Sequence, residues 1–430
     1  MKILLVGHPC DPEKGSELSM TWNWAWYLSR YHQVWAAAYP EHREATERFL
    51  SEHPNPNLQM VWVKPPQKLD PWKPGRGPIR FKLHYLLWQR SVLRTAIRLH
   101  KEVGFDLVHH VTLTTVSAPP LLWKLPVPLV WGPVGGGEIA PATFRRYFGI
   151  GWAAQFLRTL RVKLMPFLPP VRHAAQRSAA VLATNTATAR LLKVAGAQEV
   201  IHFIDSGVPS SFELPAPPTD RGSKTFDLLW VGIFLRRKAL PLALEALSQV
   251  KDLPVRLLIA GDGPMRNQWV SLVRRLGLED RTQFLGRVDW REMPALYQRA
   301  DAFIFTSLKD SFATQVIEAM SQSLPILTLD HFGFGEFVPS SAGIKVPVSN
   351  PQETVAALAQ AIRRLVESPE LCRKMGETAW KYAQEHTWDK RAERMNRLYS
   401  EVISIHHASL GPTPSRSRTL RDSQSVVPEN

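Results

Sequence analysis

Residues 301–330 read "DAFIFTSLKDSFATQVIEAMSQSLPILTLD" and decide the fold of the region around them. The apolar run "AFIF" predicts a buried strand, and "TQVIEAMSQS" predicts a helix. A second apolar run, "PILTL", predicts another buried strand. Two buried strands joined by a helix are typical of a parallel sheet covered by helices, because parallel strands need a crossover connection.

The same alternation extends over most of the chain and falls into two series. The first contains the strand-like runs "KILLVG", "QVWAAAYP", "FDLVHHV", "PVPLVWGPVGGG" and "AAVLATN"; the second contains "FDLLWVGIF", "VRLLIAGDGP", "TQFLGRV" and the two runs above. Between the two series, residues 206–224 are rich in Pro, Ser and Gly, which indicates a connection without regular structure. We therefore predict an α/β protein with two doubly wound, Rossmann-like domains.

We expect the N-terminal domain to span residues 1–205, the linker 206–224 and the C-terminal domain 225–385. A further helix is predicted over 386–406, after the last helix of the C-terminal domain. The remaining residues, 407–430, are polar and rich in Pro and Ser, so we expect a disordered tail there.

Composition narrows the class of protein. The 430 residues include 53 Lys and Arg against 38 Asp and Glu, a net charge of +15, and two cysteines. Such basicity favours an anionic partner, which leaves nucleic acid, a membrane surface and a phosphorylated substrate as candidates. Two distant cysteines imply no disulfide framework, and the apolar start "KILLVG" is too short for a signal peptide. We expect a cytoplasmic protein, with attachment to the membrane face left open.

Two segments are basic without a balancing acid. From Ile139 to Gln198 the chain has no Asp or Glu but nine Lys and Arg residues, interleaved with aromatic and aliphatic ones. Residues 73–101 have the same character. Such segments suit an anionic lipid surface. A solvated helix face in a basic protein would look the same, and both interpretations stay open at this point.

The turn inside the opening stretch carries two acids, Asp310 and Glu318, eight positions apart. Asp310 or Ser311 is expected to cap the helix, so that the next amides face out from the carboxyl edge of the sheet. A helix N-terminus favours phosphate, and a carboxylate one turn further on can accept both hydroxyls of a ribose. The alternative interpretation is a capped helix with one exposed Glu.

Neighbouring turns add the other groups that a phosphate site needs. Arg236, Arg237 and Lys238 follow the strand-like run "FDLLWVGIF", and "AGDGP" supplies Gly261 and Gly263. Cations, free amides, glycines and a diol-binding acid on one rim predict a nucleoside-diphosphate site. Because the chain has no D-x-D, H-x-x-E-H or C-x-x-C set, we expect the diphosphate to be stabilised without a metal ion.

These blocks, in this order, resemble the retaining GT-B glycosyltransferases of family GT4. The family's acid-x7-acid signature stands here as "DSFATQVIE", followed by "AMSQSLPILTLDHFGFGEFV"; other family blocks match "VGIFLRRKALPLALEAL", "AGDGP", "FLGRV", "YQRADAFIFTS" and "TWDKRAERM". The likeness covers residues 1 to about 406 and is strongest over 225–345. It implies a GT-B architecture, with two Rossmann-like domains facing each other across a cleft and a C-terminal helix crossing back to the N-terminal domain.

The resemblance also implies roles for individual residues. Lys238 matches the lysine that binds the donor diphosphate, with Arg237 as its helper, and Asp310 matches the acid that contacts the transferred sugar; these three are the predicted catalytic residues. The predicted donor-binding residues are Glu318, which matches the ribose-binding acid, and Gly15, Gly232, Arg236, Gly261, Val288, Phe312, Ala313 and Thr314. The opposite wall of the cleft, where the acceptor enters, is expected to include His109, His110, Gly135, Gly136 and Gly137.

The chain departs from the family pattern in and near this turn. Asp310 replaces a Glu and is shorter by one methylene. Ser311 and Ala313 replace the usual glycines, and Ile233 stands where an Arg is common. These differences indicate a divergent branch of the family.

The resemblance implies a hexosyltransferase that moves a sugar from a nucleoside-diphosphate sugar to a hydroxyl acceptor with retention of configuration. We expect a lipid-linked or carbohydrate acceptor, in glycolipid or cell-surface polysaccharide synthesis, with no cofactor, metal ion or nucleic acid required. One alternative is a basic membrane- or nucleic-acid-binding protein with a vestigial nucleotide site. A nicotinamide-dependent oxidoreductase is disfavoured, because no strand is followed by G-x-G-x-x-G and a later acid.

Overall fold

The computed structural model describes residues 1–15, 17–72, 77–209, 212 and 225–410. The first sheet contains β1 (Lys2–Val6), β2 (Gln33–Ala38), β3 (Leu58–Trp62), β4 (Leu107–His110), β5 (Leu129–Val134), β6 (Ala180–Ala183) and β7 (Val200–His202). The second sheet contains β8 (Phe226–Val231), β9 (Val255–Ala260), β10 (Thr282–Gly286), β11 (Ala302–Phe305), β12 (Ile326–Leu329) and β13 (Gly343–Val346).

Helices connect the strands and cover both faces of the sheets. Those around the first sheet are α1 (Glu17–Leu28), α2 (Arg43–Glu52), α3 (Pro78–Val103), α4 (Arg145–Phe148), α5 (Trp152–Leu164), α6 (Pro169–Arg177) and α7 (Thr186–Val194). Those that follow are α8 (Leu240–Ser248), α9 (Arg266–Leu276), α10 (Met293–Arg299), α11 (Thr314–Ser321), α12 (Phe332–Phe337), α13 (Pro351–Glu367), α14 (Pro369–Gln384) and α15 (Trp388–Leu410).

Both sheets are parallel and share one topology. The strand orders are β3-β2-β1-β4-β5-β6-β7 and β10-β9-β8-β11-β12-β13. Neighbouring strands pair in parallel, including the β11–β12 pair of the opening stretch, in which Phe303 lies opposite Ile326. The predicted α/β class, with two doubly wound Rossmann-like domains, is therefore confirmed.

The strand order also predicts where a ligand would lie. The chain leaves β1 toward one side of its sheet and returns on the other side at β4, and it does the same around β8 and β11. Ligands of open α/β sheets occupy the crevice at the carboxyl ends of the strands at such a switch point. Each sheet of this protein has one.

The last helix returns to the first sheet, as predicted. In α15, the Trp388 ring lies 5.2 Å from that of Trp24 in α1, and the Tyr399 hydroxyl lies 2.5 Å from His109 Nδ1 in β4. The helix begins two residues later and ends four residues beyond the predicted range 386–406. The rest of the predicted tail, and residues 210, 211 and 213–224 of the predicted linker, lie outside the described residues.

In the described part of the chain, no helix is both long enough and apolar enough to cross a membrane.

Candidate active site

Three predicted residues meet at the carboxyl edge of the second sheet. The Asp310 carboxylate forms ion pairs with Arg237 and with Lys238, whose Nζ lies 2.6 Å from Oδ2. Lys238 and Asp310 are largely buried, and Arg237 is about one-third exposed. Burial alone would raise the pKa of the Asp310 carboxyl, but Lys238 and Arg237 outweigh it and hold that pKa below its usual range. The Asp310 carboxylate is therefore ionised, and it is paired with the two cations that are predicted to bind the diphosphate.

Backbone contacts hold the two turns of this cluster together. The carbonyl of Arg237 accepts hydrogen bonds from the Leu308 amide at 2.8 Å and the Ser307 hydroxyl at 3.2 Å. The carbonyl of Lys238 accepts a bond from the Thr306 hydroxyl at 3.1 Å. The turn after β8 and the turn after β11 are thus held together by hydrogen bonds between their own groups.

The helix tip in the opening stretch differs from the expectation. Helix α11 begins at Thr314, its N-cap is Ala313, and no side chain caps it. The prediction that Asp310 or Ser311 caps the helix is wrong, because the helix starts too late and the cations engage the Asp310 carboxylate. Within the described residues, the amides of Phe312, Ala313 and Thr314 donate no hydrogen bond. These amides are consequently available to an anion.

Glu318 is buried rather than exposed, which removes the alternative interpretation of a capped helix with one exposed Glu. Its Oε2 accepts a hydrogen bond from the Tyr297 hydroxyl at 3.0 Å. Burial raises the pKa of the Glu318 carboxyl to about 7, although hydrogen bonds from Tyr297 and Trp290 act in the opposite direction. The side chain therefore changes charge near neutral pH.

Glu318 and Gly15 line one cavity of about 140 Å³ between the two domains. Trp290 and Thr314 also line it. A Cβ on Gly15 would lie 2.6 Å from Cδ1 of the Trp290 ring, so only a glycine allows the N-terminal loop to approach this ring. The loop predicted to cover the donor phosphate is thereby placed next to the predicted ribose-binding acid.

A larger cleft of about 480 Å³ opens at the carboxyl ends of β8, β9 and β10. Gly232, Gly261 and Val288, three of the predicted donor-binding residues, line it together with Arg287. Gly261 has φ +133°, and a Cβ there would lie 2.0 Å from the Gly232 carbonyl oxygen. The cleft has the volume of a small-molecule site and lies at the predicted position of the base.

The predicted glycine wall of the first sheet faces this edge directly. A Cβ on Gly135 would lie 2.0 Å from Ser311 Oγ, so the wall touches the residue next to Asp310. The Gly136 amide donates to both carboxylate oxygens of Glu138 at 3.0 Å, and the Gly137 amide donates to the Thr188 hydroxyl at 3.1 Å. Buried polar side chains of the N-terminal domain thereby hold the backbone of the glycine wall in place.

One residue beside this wall, Asn185, was missed by the sequence interpretation. Asn185 Nδ2 donates to Glu138 Oε1 at 2.7 Å and to the Ser311 carbonyl at 3.0 Å, which links the two domains. Asn185 also caps α7 by accepting a bond from the Thr188 amide. Its position after the strand-like run "AAVLAT" was a signal for the cap, but no local signal announced the bond across the cleft.

Both predicted cleft histidines are in the core, which corrects their assignment. His109 is fully buried, with Nε2 2.6 Å from the Gly132 carbonyl and Nδ1 against Tyr399. His110 is equally buried, and its Nε2 lies 3.1 Å from the Tyr85 hydroxyl. Burial lowers the pKa of His109 to about 4 and that of His110 to about 3, so both rings are neutral structural groups. A strand of four buried residues leaves neither ring a path to the cleft.

Arg236 also differs from its predicted role. Its guanidinium lies against the turn at Gly149–Gly151, where a Cβ on Gly149 would lie 3.1 Å from Nη1. A cation that was not predicted, Lys309, is instead close to the cluster, with Nζ bonded to Gln155 Oε1 of α5 at 2.9 Å. Burial, followed by the charges of Arg158 and Arg237, lowers the pKa of Lys309 to about 8. The rim therefore holds more positive than negative charge.

Among the described residues, no group of three His, Cys, Asp or Glu side chains is arranged to hold a metal ion.

Comparison with known proteins finds similarity in sequence and in fold. Residues 216–382 match the family model "Glycosyl transferases group 1". The putative glycosyltransferase EpsD of Bacillus subtilis is 29% identical over 161 residues, which cover 37% of this chain and 41% of EpsD. The chain thus matches less than half the length of this relative.

Two solved structures have the same overall architecture. Sucrose-phosphate synthase from Thermosynechococcus elongatus superposes with a TM-score of 0.68 at 19% identity, covering 94% of this chain and 99% of the other. HepE from Anabaena, solved with UDP, superposes with a TM-score of 0.63 at 18% identity, covering 93% and 100%. The C-terminal part of this chain is therefore similar to the group 1 glycosyltransferases, and the chain as a whole has the GT-B fold.

Proposed function

We propose that this protein transfers a sugar from a nucleoside-diphosphate sugar to a hydroxyl acceptor with retention of anomeric configuration. The observation that carries the proposal is the cation cluster around Asp310, with Lys238 Nζ 2.6 Å from its carboxylate. The free amides of residues 312–314 lie beside this cluster, and the 480 Å³ cleft lies at the same edge of the sheet. A nucleoside diphosphate needs such a combination of positive charge, amides and space.

Departure of the diphosphate is the step that this edge would assist. Lys238, Arg237 and the tip of α11 would stabilise the negative charge that develops on the leaving phosphate. In the same proposal, Asp310 is released from the cations when the diphosphate binds them, and it then contacts the sugar. No cofactor or metal ion is part of the proposal.

The ribose and the base would occupy the two cavities beside the cluster. Glu318 would accept the ribose hydroxyls in its ionised form, and the backbone around Val288 would contact the base. HepE is described in complex with UDP and UDP-glucose, which makes UDP the first nucleotide to test. Because the site is divided between the two domains, we expect closure of the cleft during turnover.

For the acceptor, we propose a lipid-linked or carbohydrate hydroxyl in glycolipid or cell-surface polysaccharide synthesis. We further propose a cytoplasmic location in which the protein contacts the membrane face. Nucleic acid is not among the proposed partners.

The test is thermal stabilisation by UDP, GDP and ADP, followed by hydrolysis of the sugar nucleotide that carries the stabilising base. We expect one nucleotide to raise the melting temperature in the wild type and to lose this effect in Lys238→Ala and Glu318→Ala. Absence of stabilisation by all three nucleotides, or unchanged affinity in both variants, would overturn the proposal.

A further inference from the structure

The helices α3 and α5 cover the same face of the first sheet. In β5, Leu129 and Trp131 are two positions apart and so point to the same face. Leu129 packs in the cluster that contains Trp88 of α3, and Trp131 packs in the cluster that contains Val162 of α5. The ring of Trp123 packs against both clusters. The two helices therefore belong to one layer.

The opposite face of the sheet is covered by other helices. Val130, which lies between Leu129 and Trp131, packs in the cluster that contains Trp24 of α1 and Tyr399 of α15. The layer of α3 and α5 therefore faces away from α1 and α15. Its outer surface is opposite the side on which the C-terminal helix docks.

The outer side of α5 is apolar. Six large apolar residues in and around this helix keep between 50% and 93% of their surface exposed: Ile150, Phe156, Leu157, Leu160, Leu164 and Phe167. Phe156, Leu160 and Leu164 follow each other at four-residue intervals, which places them on one stripe. Val162, on the other side of the helix, is buried in the core. The stripe is therefore an unpartnered face rather than a part of the core.

The outer side of α3 repeats this pattern. Ile79, Leu83 and Leu86 are each at least half exposed and continue along one stripe of the helix. Arg90 and Arg94 extend the same stripe toward the C-terminus and are exposed. Two helices of one layer thus present both apolar and basic side chains to the outside.

The charges identify the occupant. α5 carries Arg158, Arg161 and Lys163 without an acid, and residues 139–198 contain no acid at all. A second copy of this surface would be repelled by the like charges, and nucleic acid would not need a stripe of Phe, Leu and Ile. Apolar side chains flanked by Lys and Arg suit the boundary between the acyl chains and the headgroups of an anionic bilayer.

We infer that the outer faces of α3 and α5 form a single membrane-binding surface for anionic lipid bilayers. The biological purpose of this surface rests on the proposed function. Helix α5 also reaches the cleft, because its Gln155 accepts a hydrogen bond from Lys309, the residue that precedes Asp310. In the proposed function, an acceptor carried by the bilayer would thus lie close to the candidate site, because α5 contacts both the bilayer and the cleft. Binding itself needs neither donor nor acceptor.

The experiment is flotation of the full chain with vesicles of phosphatidylglycerol and phosphatidylcholine, compared with vesicles of phosphatidylcholine alone. We expect binding to the anionic vesicles, weakened when the salt concentration rises from about 0.1 to about 0.5 M. The double substitution Phe156→Ser/Leu160→Ser should lower the vesicle partition coefficient at least about tenfold. The matched control Tyr31→Ser/Ile405→Ser removes two exposed apolar residues from the opposite layer and should leave binding unchanged.

A charge pair tests the second component. Arg161→Gln/Lys163→Gln should lower binding to anionic vesicles by about tenfold. Arg274→Gln/Arg275→Gln, which removes two exposed cations from α9 in the other domain, is the matched control. Melting temperatures of all variants, with and without UDP, report folding and the donor site separately from vesicle binding.

Each of the other outcomes would overturn the inference. The first is that the protein does not bind anionic vesicles, and the second is that a matched control loses as much vesicle binding as the variant it is paired with. The third is tighter binding to duplex DNA than to vesicles, and the fourth is a dimer that dissociates when Phe156 and Leu160 are replaced. Vesicle binding without nucleotide stabilisation would leave this surface in place and contradict the proposed function instead.

Discussion

The two sheets have the same topology but opposite chemistry at their switch points. Beyond β8 and β11, Lys238, Arg237 and Asp310 form a charged cluster beside free amides. Beyond β1, His8 Nε2 lies 2.9 Å from His84 Nε2, and burial lowers the pKa of His8 to about 3. One edge is thus charged and lies beside an open cleft, and the other holds the buried, neutral imidazole of His8 packed against His84.

Aromatic rings complete the packing of the N-terminal edge. Tyr39 stacks on His8 at 4.9 Å, and Trp88 meets the same ring edge-on at 4.9 Å. Since the layers of both domains are alike, the contrast lies in the turns after the strands. A fold places ligands at an edge, but the turn residues decide which ligand can bind there.

The largest effect should come from removing a cation at the charged edge. Lys238→Ala is expected to lower kcat/KM for the donor about a hundredfold or more, because a buried positive charge beside the proposed position of the leaving phosphate is lost. The control is Arg236→Ala, which lies in the same turn but contacts Gly149–Gly151. Donor kinetics for both variants make the measurement, and equal losses would show that the turn rather than the charge matters.

Asp310→Asn should separate binding from transfer. In the proposed mechanism the carboxylate competes with the diphosphate for Lys238 and Arg237, so its removal should tighten nucleoside-diphosphate binding about fivefold. Transfer should nevertheless fall, because the proposed contact with the sugar is lost. Calorimetric titration and turnover on the same sample measure both effects, with the exposed Asp330→Asn as the control. Weaker nucleotide binding by the variant would contradict the competition.

Glu318 should make the protein sensitive to pH. The pKa of its carboxyl is about 7 in the folded protein, above the ordinary value of 4.5, so the folded state binds the proton more tightly. The stability from this group is full below about pH 4.5 and is lost as pH rises through about 7, a change of roughly 3 kcal/mol.

Denaturant unfolding of the wild type and Glu318→Gln between about pH 5 and pH 8 measures this difference. The wild type should lose stability relative to the variant as pH rises, whereas UDP affinity should rise in the wild type alone, because only the ionised carboxylate accepts both ribose hydroxyls. Parallel curves for the two proteins would refute the expected titration, and the exposed Glu292→Gln is the matched control.

The last prediction concerns the contact between the two edges. Gly135→Ala places a Cβ 2.0 Å from Ser311 Oγ and 2.3 Å from its Cβ, so the domains must separate slightly. We expect turnover to fall about tenfold with little change in nucleotide affinity. The double variant Gly135→Ala/Ser311→Gly should recover most of the loss in a double-mutant cycle. Failure to recover would locate the defect within the wall itself.

The sequence predicted the layers well because their signals are local. The runs "AFIF" and "PILTL" became β11 and β12, and the helix between them became α11. The cap was placed wrongly because an acid before a helix looks the same whether it binds amides or cations. The choice between them depends on Arg237 and Lys238, which lie about 70 residues earlier in the chain.

The sequence predicted correctly only those residues of the candidate site that lie in turns with a recognisable local motif. Gly232, Gly261 and Val288 share a cleft as their turns suggested. His109 and His110 were assigned wrongly because polar side chains at the end of a strand can also lie in the core, provided that the core offers hydrogen-bond partners for them. One of those partners is Tyr399, which is 290 residues away in sequence. Lys309 and Asn185 were missed for the same reason, since their partners lie in the other domain.

The docking of α15 has a consequence for how the chain is made. Trp388 and Tyr399 complete a core whose other members include Trp24, Leu28 and Val130 of the N-terminal domain. During synthesis, this core therefore stays incomplete until the ribosome has produced the whole C-terminal domain and the helix after it. The domain that is made first is the last to finish folding, and residues 1–205 expressed alone would expose the apolar surface that α15 covers.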